Sequence, residues 1–341
     1  MVVIGLDTHI ATCDFFAVNG EGQPIGQGTF ATSRPGFVDM VKPFKGQEVV
    51  LVIEQGPLTD WIIRITKLMV PKVVAAETRR NRWISQDSTK NDRFDAEKLA
   101  RLYLGGFVKE VIQRDEKNEE ILRLVLHHHD LVSQRTQIKN KIKSKFRQCG
   151  VRASGEAVYN KNQREAWIAQ ISNDHLVWPT DSRFIQLDLF DSQIAKTDKL
   201  LNKTAKRYPI VGKLIDKFPG IGLINAATFV ALIDTPHRFA SVKKVWTYCG
   251  LGLDCRSSGL KAGKPKLTFR GNRMLKYILK QAAITAINMR DPNDYRDWYK
   301  ASVAGGKPEH KAVLACSRKL TKDMWLYWKK EAESNALVKS A

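Results

Sequence analysis

No apolar run in the chain approaches the ~18–20 residues that a membrane helix requires, so a membrane partner is not expected. The N-terminus passes straight into a strand pattern, Val2-Val3-Ile4-Gly5-Leu6, with no basic leader ahead of it, so no signal peptide is expected. Five cysteines (Cys13, Cys149, Cys249, Cys255, Cys316) include no CxxC pair. That argues against structural zinc and for reduced thiols in a cytosol. A strand ending Gly5-Leu6-Asp7-Thr8 suits a sugar-kinase or actin-like ATPase, but such folds need a second copy of the pattern and further glycine-rich phosphate loops, and neither is found. Acidic residues are missing from two stretches. Residues 131–150 hold six Lys/Arg and no Asp/Glu, and residues 255–290 hold nine and none.

What is present is a strongly basic chain of 341 residues with a net charge of +21 and 43% hydrophobic residues. The charge is unevenly placed. Residues 1–110 carry 14 basic and 13 acidic groups, and the remaining 231 carry 42 and 22. A near-neutral N-terminal domain followed by a basic body points to a polyanion partner, of which nucleic acid is the commonest.

Periodicity divides the chain into three parts. Residues 2–8, 11–19 and 25–32 alternate as strands around the turn Asn19-Gly20-Glu21-Gly22. A short helix at 35–45, a buried strand at 48–54, a helix at 58–68, a strand at 70–76 and a helix at 92–104 follow. This order predicts an α/β domain over 1–110 with a mixed sheet and helices on its faces. Residues 111–209 read as helical: one helix over 115–148, an irregular polar insert over 151–185, and a second helix over 182–207, able to pair as an antiparallel coiled coil or to self-associate. A mainly helical C-terminal domain spans 210–335. It contains the helix-hairpin-helix-like turn Phe218-Pro219-Gly220-Ile221-Gly222 before a helix at 225–234, a helix at 272–290 and last helices over 307–332. The turn can serve phosphate contact or simply join two helices. Trp325, Tyr327 and Trp328 have the spacing of core residues.

Four carboxylates stand at element edges. Asp7 and Glu54 end apolar strands, and Asp92 and Asp95 lie three apart at a helix start, on one face. Such a set can converge on a hard divalent cation such as Mg²⁺, which drives phosphodiester chemistry. Singly, Asp92 reads as an N-cap and Asp95 as a dipole partner; it is the joint pattern that suggests a metal site. Ser258 sits in Ser257-Ser258-Gly259 within a basic segment, where a hydroxyl can attack phosphorus if cations hold the phosphate. By composition alone, Ser-Ser-Gly is a common turn. His127-His128-His129 cannot converge on one ion, because helical side chains diverge by about 100°; a solvated or nucleic-acid-facing run is expected.

The segments Gly5-Leu6-Asp7-Thr8, Ile53-Glu54-Gln55-Gly56, Lys90-Asn91-Asp92-Arg93-Phe94-Asp95-Ala96, Phe218-Pro219-Gly220-Ile221-Gly222, Arg238-Phe239, Tyr248-Cys249-Gly250-Leu251, Ser257-Ser258-Gly259 and Arg270-Gly271-Asn272-Arg273 occur in one order over nearly the whole chain. In this the chain resembles the DEDD transposases and DNA invertases of bacterial insertion sequences, a class that includes bridge-RNA-guided recombinases. The resemblance implies an RNase H-like, Holliday-junction-resolvase-like N-terminal domain with Mg²⁺ on Asp7, Glu54, Asp92 and Asp95. It also implies a nucleophilic Ser258, with Ser257 the adjacent alternative, that forms a phosphoserine link to DNA and frees a 3′-OH. Implied partners are donor and target double-stranded DNA, a structured guide RNA, and further copies of the chain in a homodimer or homotetramer, with the protein at the bacterial nucleoid in the cytoplasm. Arg135, Lys139, Lys143 and Arg147, with Arg256, Lys261, Lys264, Lys266, Arg270 and Arg273, are expected to hold nucleic-acid backbones. The residues leave open an RNA-independent invertase and a resolvase-type nuclease in which water replaces the serine. They also leave open a nucleic-acid-binding protein without catalysis.

Overall fold

The structure is a computed structural model. It describes the chain except residues 78–91, 115, 255–265, 269–270 and 341, and at 92–93, 116, 254, 266 and 336–340 it describes the backbone alone. Two compact units result, Met1–Gln113 and Arg114–Ala341.

The first unit is built on a five-stranded mixed sheet: β1 (Val2–Thr8), β2 (Thr12–Asn19), β3 (Pro24–Ala31), β4 (Val49–Glu54) and β5 (Lys72–Ala76), in the order β3-β2-β1-β4-β5. β1, β2 and β3 run antiparallel as a meander, whereas β1, β4 and β5 run parallel. The central strands are near-continuous apolar runs because both of their faces are covered. On one face Ile4, Leu6, Leu51 and Ile53 pack against Phe37 and Met40 of α1 (Arg34–Val41) and Ile62 of α2 (Thr59–Thr66). The helix expected to reach residue 45 stops at Val41 and tightens into a 3₁₀ turn, Lys42–Phe44, around Pro43, which lacks the N–H a helix would use.

On the other face Val3, Val50, Val52 and Val74 meet Ala96, Leu99 and Ala100 of α3 (Asp92–Leu104). Gly5 lies at this crossing. A Cβ built there falls 2.0 Å from the Ala96 carbonyl oxygen and 2.8 Å from the Ala100 nitrogen. Only a residue without a side chain lets the α3 backbone lie on β1.

The second unit is helical: α4 (Glu119–Gln148), α5 (Arg164–Ile168), α6 (Asp174–Ala205), α7 (Pro209–Lys217), α8 (Leu223–Ile233), α9 (Val242–Tyr248), a two-residue ladder of β6 (Leu253–Asp254) with β7 (Lys266–Leu267), then α10 (Arg273–Asn288), α11 (Asp294–Ala304) and α12 (Glu309–Ser340). α8 is apolar all round and fully buried from Ala226 to Ile233, so it forms the centre. Around it lie Ile121 and Val125 of α4, Leu201 of α6, Leu275 and Leu279 of α10, and Leu320, Met324, Trp325 and Trp328 of α12. Trp325 is core, with its Nε1 donating to the Pro236 carbonyl at 2.9 Å. Gly220, in the turn between α7 and α8, has φ +78°, and a Cβ there would fall 2.3 Å from the Ala282 oxygen of α10. This glycine serves helix packing.

Three expectations need correction. The stretch 151–185 is not an irregular insert: α6 begins at Asp174, capped by the Asn173 side chain, and runs through Pro179. Ala153, Val158 and Ile171 close a small core with Ile142, Phe146, Phe184 and Leu187, and that burial outweighs the polar composition. The run 294–304, unassigned from sequence, is α11, capped by the Asn293 side chain accepting from the Arg296 N–H at 3.1 Å. The histidine run is not solvated throughout. His128 is buried with Nδ1 2.8 Å from Asp198 Oδ1 of α6, and His129 Nε2 lies 3.0 Å from the buried Thr228 hydroxyl of α8.

Two outcomes test this packing. Gly5→Ala lowers unfolding stability by about 3 kcal/mol, the upper end of overpacking costs. Gly212→Ala, in open space on α7, raises it by about 0.5–1 kcal/mol. Urea unfolding of both variants checks the contrast. Burial, and then His128, hold the His129 pKa down at about 4 from 6.5. The folded protein therefore keeps His129 neutral while the unfolded chain gains the proton. Its contribution is complete above pH about 6.5 and is lost as pH falls toward about 4. Acid titration of stability is shallower in His129→Gln across that window.

Candidate active site

Alternation along the strands decides which way the carboxylates face. β1 sends Ile4 and Leu6 toward α1 and α2 and Val3 and Gly5 toward α3, so Asp7 lies on the α3 side. β4 does the same: Leu51 and Ile53 go one way, and Val50, Val52 and then Glu54 the other. Leu6 pairs with Ile53 in the parallel register, so Asp7 and Glu54 follow on neighbouring strand ends. Asp95 sits one helical turn before Leu99, next to buried Ala96 on the helix that covers this face.

The three charges feel one another. Burial, and then the Asp7 and Asp95 carboxylates, push the Glu54 carboxyl above the usual carboxylate range. Asp7 is mostly covered, its side chain 16% exposed, and its Oδ2 lies 3.2 Å from His9 Nε2. Behind Glu54, Gly56 N–H donates to Thr59 Oγ1 at 2.8 Å and Thr59 Oγ1 donates to the Glu54 carbonyl at 3.3 Å, which fixes the turn from β4 into α2. Asp92 is the first residue of α3, and its side chain lies outside the described residues. Among the described residues no three His, Cys, Asp or Glu side chains come close enough to share one ion. The donor set fits a hard divalent cation by its chemistry: all oxygen, all negative, and mutually repelling in a partly buried place where a cation would offset the repulsion.

Two neighbours escaped the sequence reading. Asp14 pairs directly opposite Asp7 in the β1–β2 register and so shares its face, with its Oδ1 accepting from Thr29 Oγ1 at 2.5 Å. His9 touches Asp7 across the same turn. Only the observed register shows the pairing of Asp7 with Asp14, because β2 begins at Thr12 and the turn is thereby centred midway between them.

Ser257 and Ser258 lie outside the described residues, as do Arg256, Lys261, Lys264, Arg270 and the side chain of Lys266. The backbone bracketing them is described. β6 and β7 pair Leu253 with Leu267 and Asp254 with Lys266. Gly271, at φ +131°, sits so close to Gly250 that a Cβ would fall 2.6 Å from the Gly250 Cα. The segment's two ends are thereby held together. Arg273 is exposed at the first residue of α10, behind the Asn272 cap. On α4, Arg135 pairs with Asp191 at 3.2 Å and Lys139 with Glu156 at 2.6 Å, while the Lys139 and Lys143 ammoniums lie 4.6 and 5.1 Å from the Tyr159 ring centre. Arg147 is exposed. Three of these four expected backbone contacts are thus engaged within the chain, two in ion pairs and one on an aromatic ring.

Residues 4–150 match the transposase family model named for the DEDD transposases of the IS110 class, and residues 212–300 match the family described as Transposase IS116/IS110/IS902. Both matched regions are thus similar to transposases of the IS110 class. The chain's similarity to individual relatives is low. It is 24% identical over 341 residues to the y4pF/y4sB protein of Sinorhizobium fredii, covering 95% of this chain and 83% of that one. It is 21% identical over 245 residues to the transposase for insertion sequence element IS1111A of Coxiella burnetii, covering 70% and 66%. It is 27% identical over 140 residues to a 44.8 kDa protein of insertion element IS116 from Streptomyces clavuligerus, covering 41% of this chain and 34% of that one. Asp7, Glu54 and Asp95 all fall inside the first matched region. Among the described residues no helix is long and apolar enough to cross a membrane.

The repulsion at Glu54 gives a test of opposite sign with and without metal. A carboxyl whose folded pKa is raised stabilises the fold only below its unfolded pKa and loses that contribution as pH rises through the folded value. At neutral pH the metal-free site therefore costs stability. Glu54→Gln raises Tm in EDTA and loses the Tm increment that Mg²⁺ gives the wild type. A lower Tm for Glu54→Gln in EDTA would contradict the cluster.

Proposed function

We propose that the chain is a Mg²⁺-dependent transposase that cleaves and exchanges DNA strands through a covalent serine–DNA intermediate, directed by a structured RNA encoded in its element. The observation that carries the catalytic part is the electrostatic convergence of Asp7, Glu54 and Asp95 at the ends of two strands and the start of one helix. The two transposase family matches support DNA as the substrate, and the charge of +21 supports a nucleic-acid partner. The serine and the guide RNA rest on the resemblance of the Ser257-Ser258-Gly259 and Arg270-Gly271-Asn272-Arg273 segments to the guided recombinases.

In this reading Asp7, Glu54, Asp92 and Asp95 hold the ion, which when bound supplies positive charge to the phosphate oxygens in the transition state. Lys and Arg around Ser258 hold the same phosphate. The Ser258 Oγ attacks phosphorus: the Oγ–P bond forms as the P–O3′ bond breaks, and the proton lost by the hydroxyl is balanced by the one gained at the departing 3′-OH. The phosphodiester count is unchanged, so the link is reversible and a new 3′-OH can take the strand. In the same reading Arg147, Lys143 and Arg273 hold backbone phosphates.

A homodimer or homotetramer is part of this reading. α6 buries Phe184, Leu187, Ile194 and Leu201, yet on its opposite side Trp178, Ile185, Leu189 and Leu200 stay exposed, Trp178 at 76%. A long apolar stripe of this kind suits helical self-pairing.

Ser258→Ala abolishes the protein–DNA adduct that forms with Mg²⁺ and leaves DNA affinity within about twofold of wild type. Denaturing electrophoresis with end-labelled DNA reads the adduct, and binding titration reads the affinity. Persistence of the adduct in Ser258→Ala overturns the serine assignment. Hydrolysed ends without any adduct in the wild type indicate a water-activating nuclease instead.

A further inference from the structure

The end of α10 and the start of α11 enclose an open-mouthed cavity of about 390 Å³, lined by Asn288, Arg290, Arg296, Tyr299 and Lys300 among others. The size suits one nucleotide, since small-ligand sites begin at roughly 300 Å³. Its lining is unusual in charge: three cations, one aromatic ring, one amide, and no carboxylate. None of the three cations makes an ion pair among the described residues.

The turn between the helices is pinned. Asn293 Nδ2 donates to the Ala286 carbonyl at 2.9 Å, and Arg296 Nη1 donates to the Met289 and Arg290 carbonyls at 3.1 and 2.8 Å. Arg296 thus closes the C-terminus of α10 and fixes the backbone that presents Arg290. Arg290 and Lys300 are exposed and Tyr299 is half-buried. Arg296, Tyr299 and Lys300 are spaced three and four apart and share one face of α11. Asp294 lies on the opposite side of that helix, and Asp297 a quarter-turn away, so neither enters the cavity. Tyr295, on another face, is buried in the core with its hydroxyl on Asp323 at 3.0 Å. Cations beside an aromatic face form the combination that takes a phosphate together with a stacked base.

We propose that this cavity is a nucleotide-binding subsite for a nucleic-acid strand, with Arg290 and Lys300 on the phosphodiester and Tyr299 stacking the base. It rests on the reading that the chain acts on nucleic acid, and names residues on α10 and α11 other than those already expected to hold nucleic-acid backbones. The same chemistry is offered by an unpaired DNA base and by RNA, so the two are separated by experiment.

The test uses the full chain and three labelled oligonucleotides of one sequence: single-stranded DNA, duplex DNA and single-stranded RNA, each titrated at several salt concentrations. Arg290→Gln/Lys300→Gln weakens binding at least tenfold for the class that occupies the cavity and flattens its log–log salt dependence by about 1.4 for a single strand, at ~0.7 for each lost phosphate contact. Tyr299→Leu weakens the same class with no change of salt slope, and Tyr299→Phe restores it, since the ring and not the hydroxyl does the stacking. Unchanged thermal unfolding of each variant separates these effects from misfolding. Wild-type affinity and slope in the double variant for all three nucleic acids overturn the subsite alone. A wild-type protein that binds none of the three overturns the functional reading and the subsite with it.

Discussion

The first unit turns on the missing side chain at Gly5. A helix can lie on a strand with its backbone in near contact only where no Cβ intervenes, and β1 provides that gap two residues before Asp7. α3 settles there through Ala96 and Ala100, two further small residues. Because the helix is seated by its backbone, its N-terminal turn falls beside the ends of β1 and β4. The nearness of Asp7 and Asp95 that raises the Glu54 pKa is therefore a by-product of tight packing made deeper in the sheet. The site owes its geometry to residues that carry no charge.

That arrangement trades stability for chemistry. Partial burial and two neighbouring carboxylates disfavour the charged form of Glu54, and Asp14 adds a like charge directly across from Asp7. A structure selected for stability alone would place a base here. On the proposed reading the repulsion is kept because a cation offsets it. The second unit shows the opposite solution: Arg135 and Lys139 meet Asp191 and Glu156, and His128 of α4 meets Asp198 of α6.

Much of the first unit could be read from residues alone, for definite reasons. Strands buried on both faces write continuous apolar runs, and Asp7 and Glu54 stand out as the first charges after them. The spacing of Asp92 and Asp95 places them on a helix face in any register. Asp14 could not be recognised without the pairing register, because a lone carboxylate two residues into a strand resembles a surface group. The helical unit was less legible. Pro179 and a polar composition hid the first two turns of α6, whose formation depends on Ile171 and Phe184 meeting Phe146, a contact made across the chain. His128 and His129 looked solvated because their partners, Asp198 and Thr228, lie 70 and 99 residues further on. The glycine pair Gly250 and Gly271 was visible as two motifs, and only the fold shows that they touch.

The central claim is that carboxylates from β1, β4 and α3 act as one cation site. The most direct measurement is titration of the full chain with Mn²⁺, following free ion by its electron paramagnetic resonance signal, for wild type, Asp7→Asn, Asp95→Asn and the double variant. One shared site predicts that each single substitution removes the tight binding class as completely as the double one does. Tight binding that survives either single change, or losses that simply add, would contradict it.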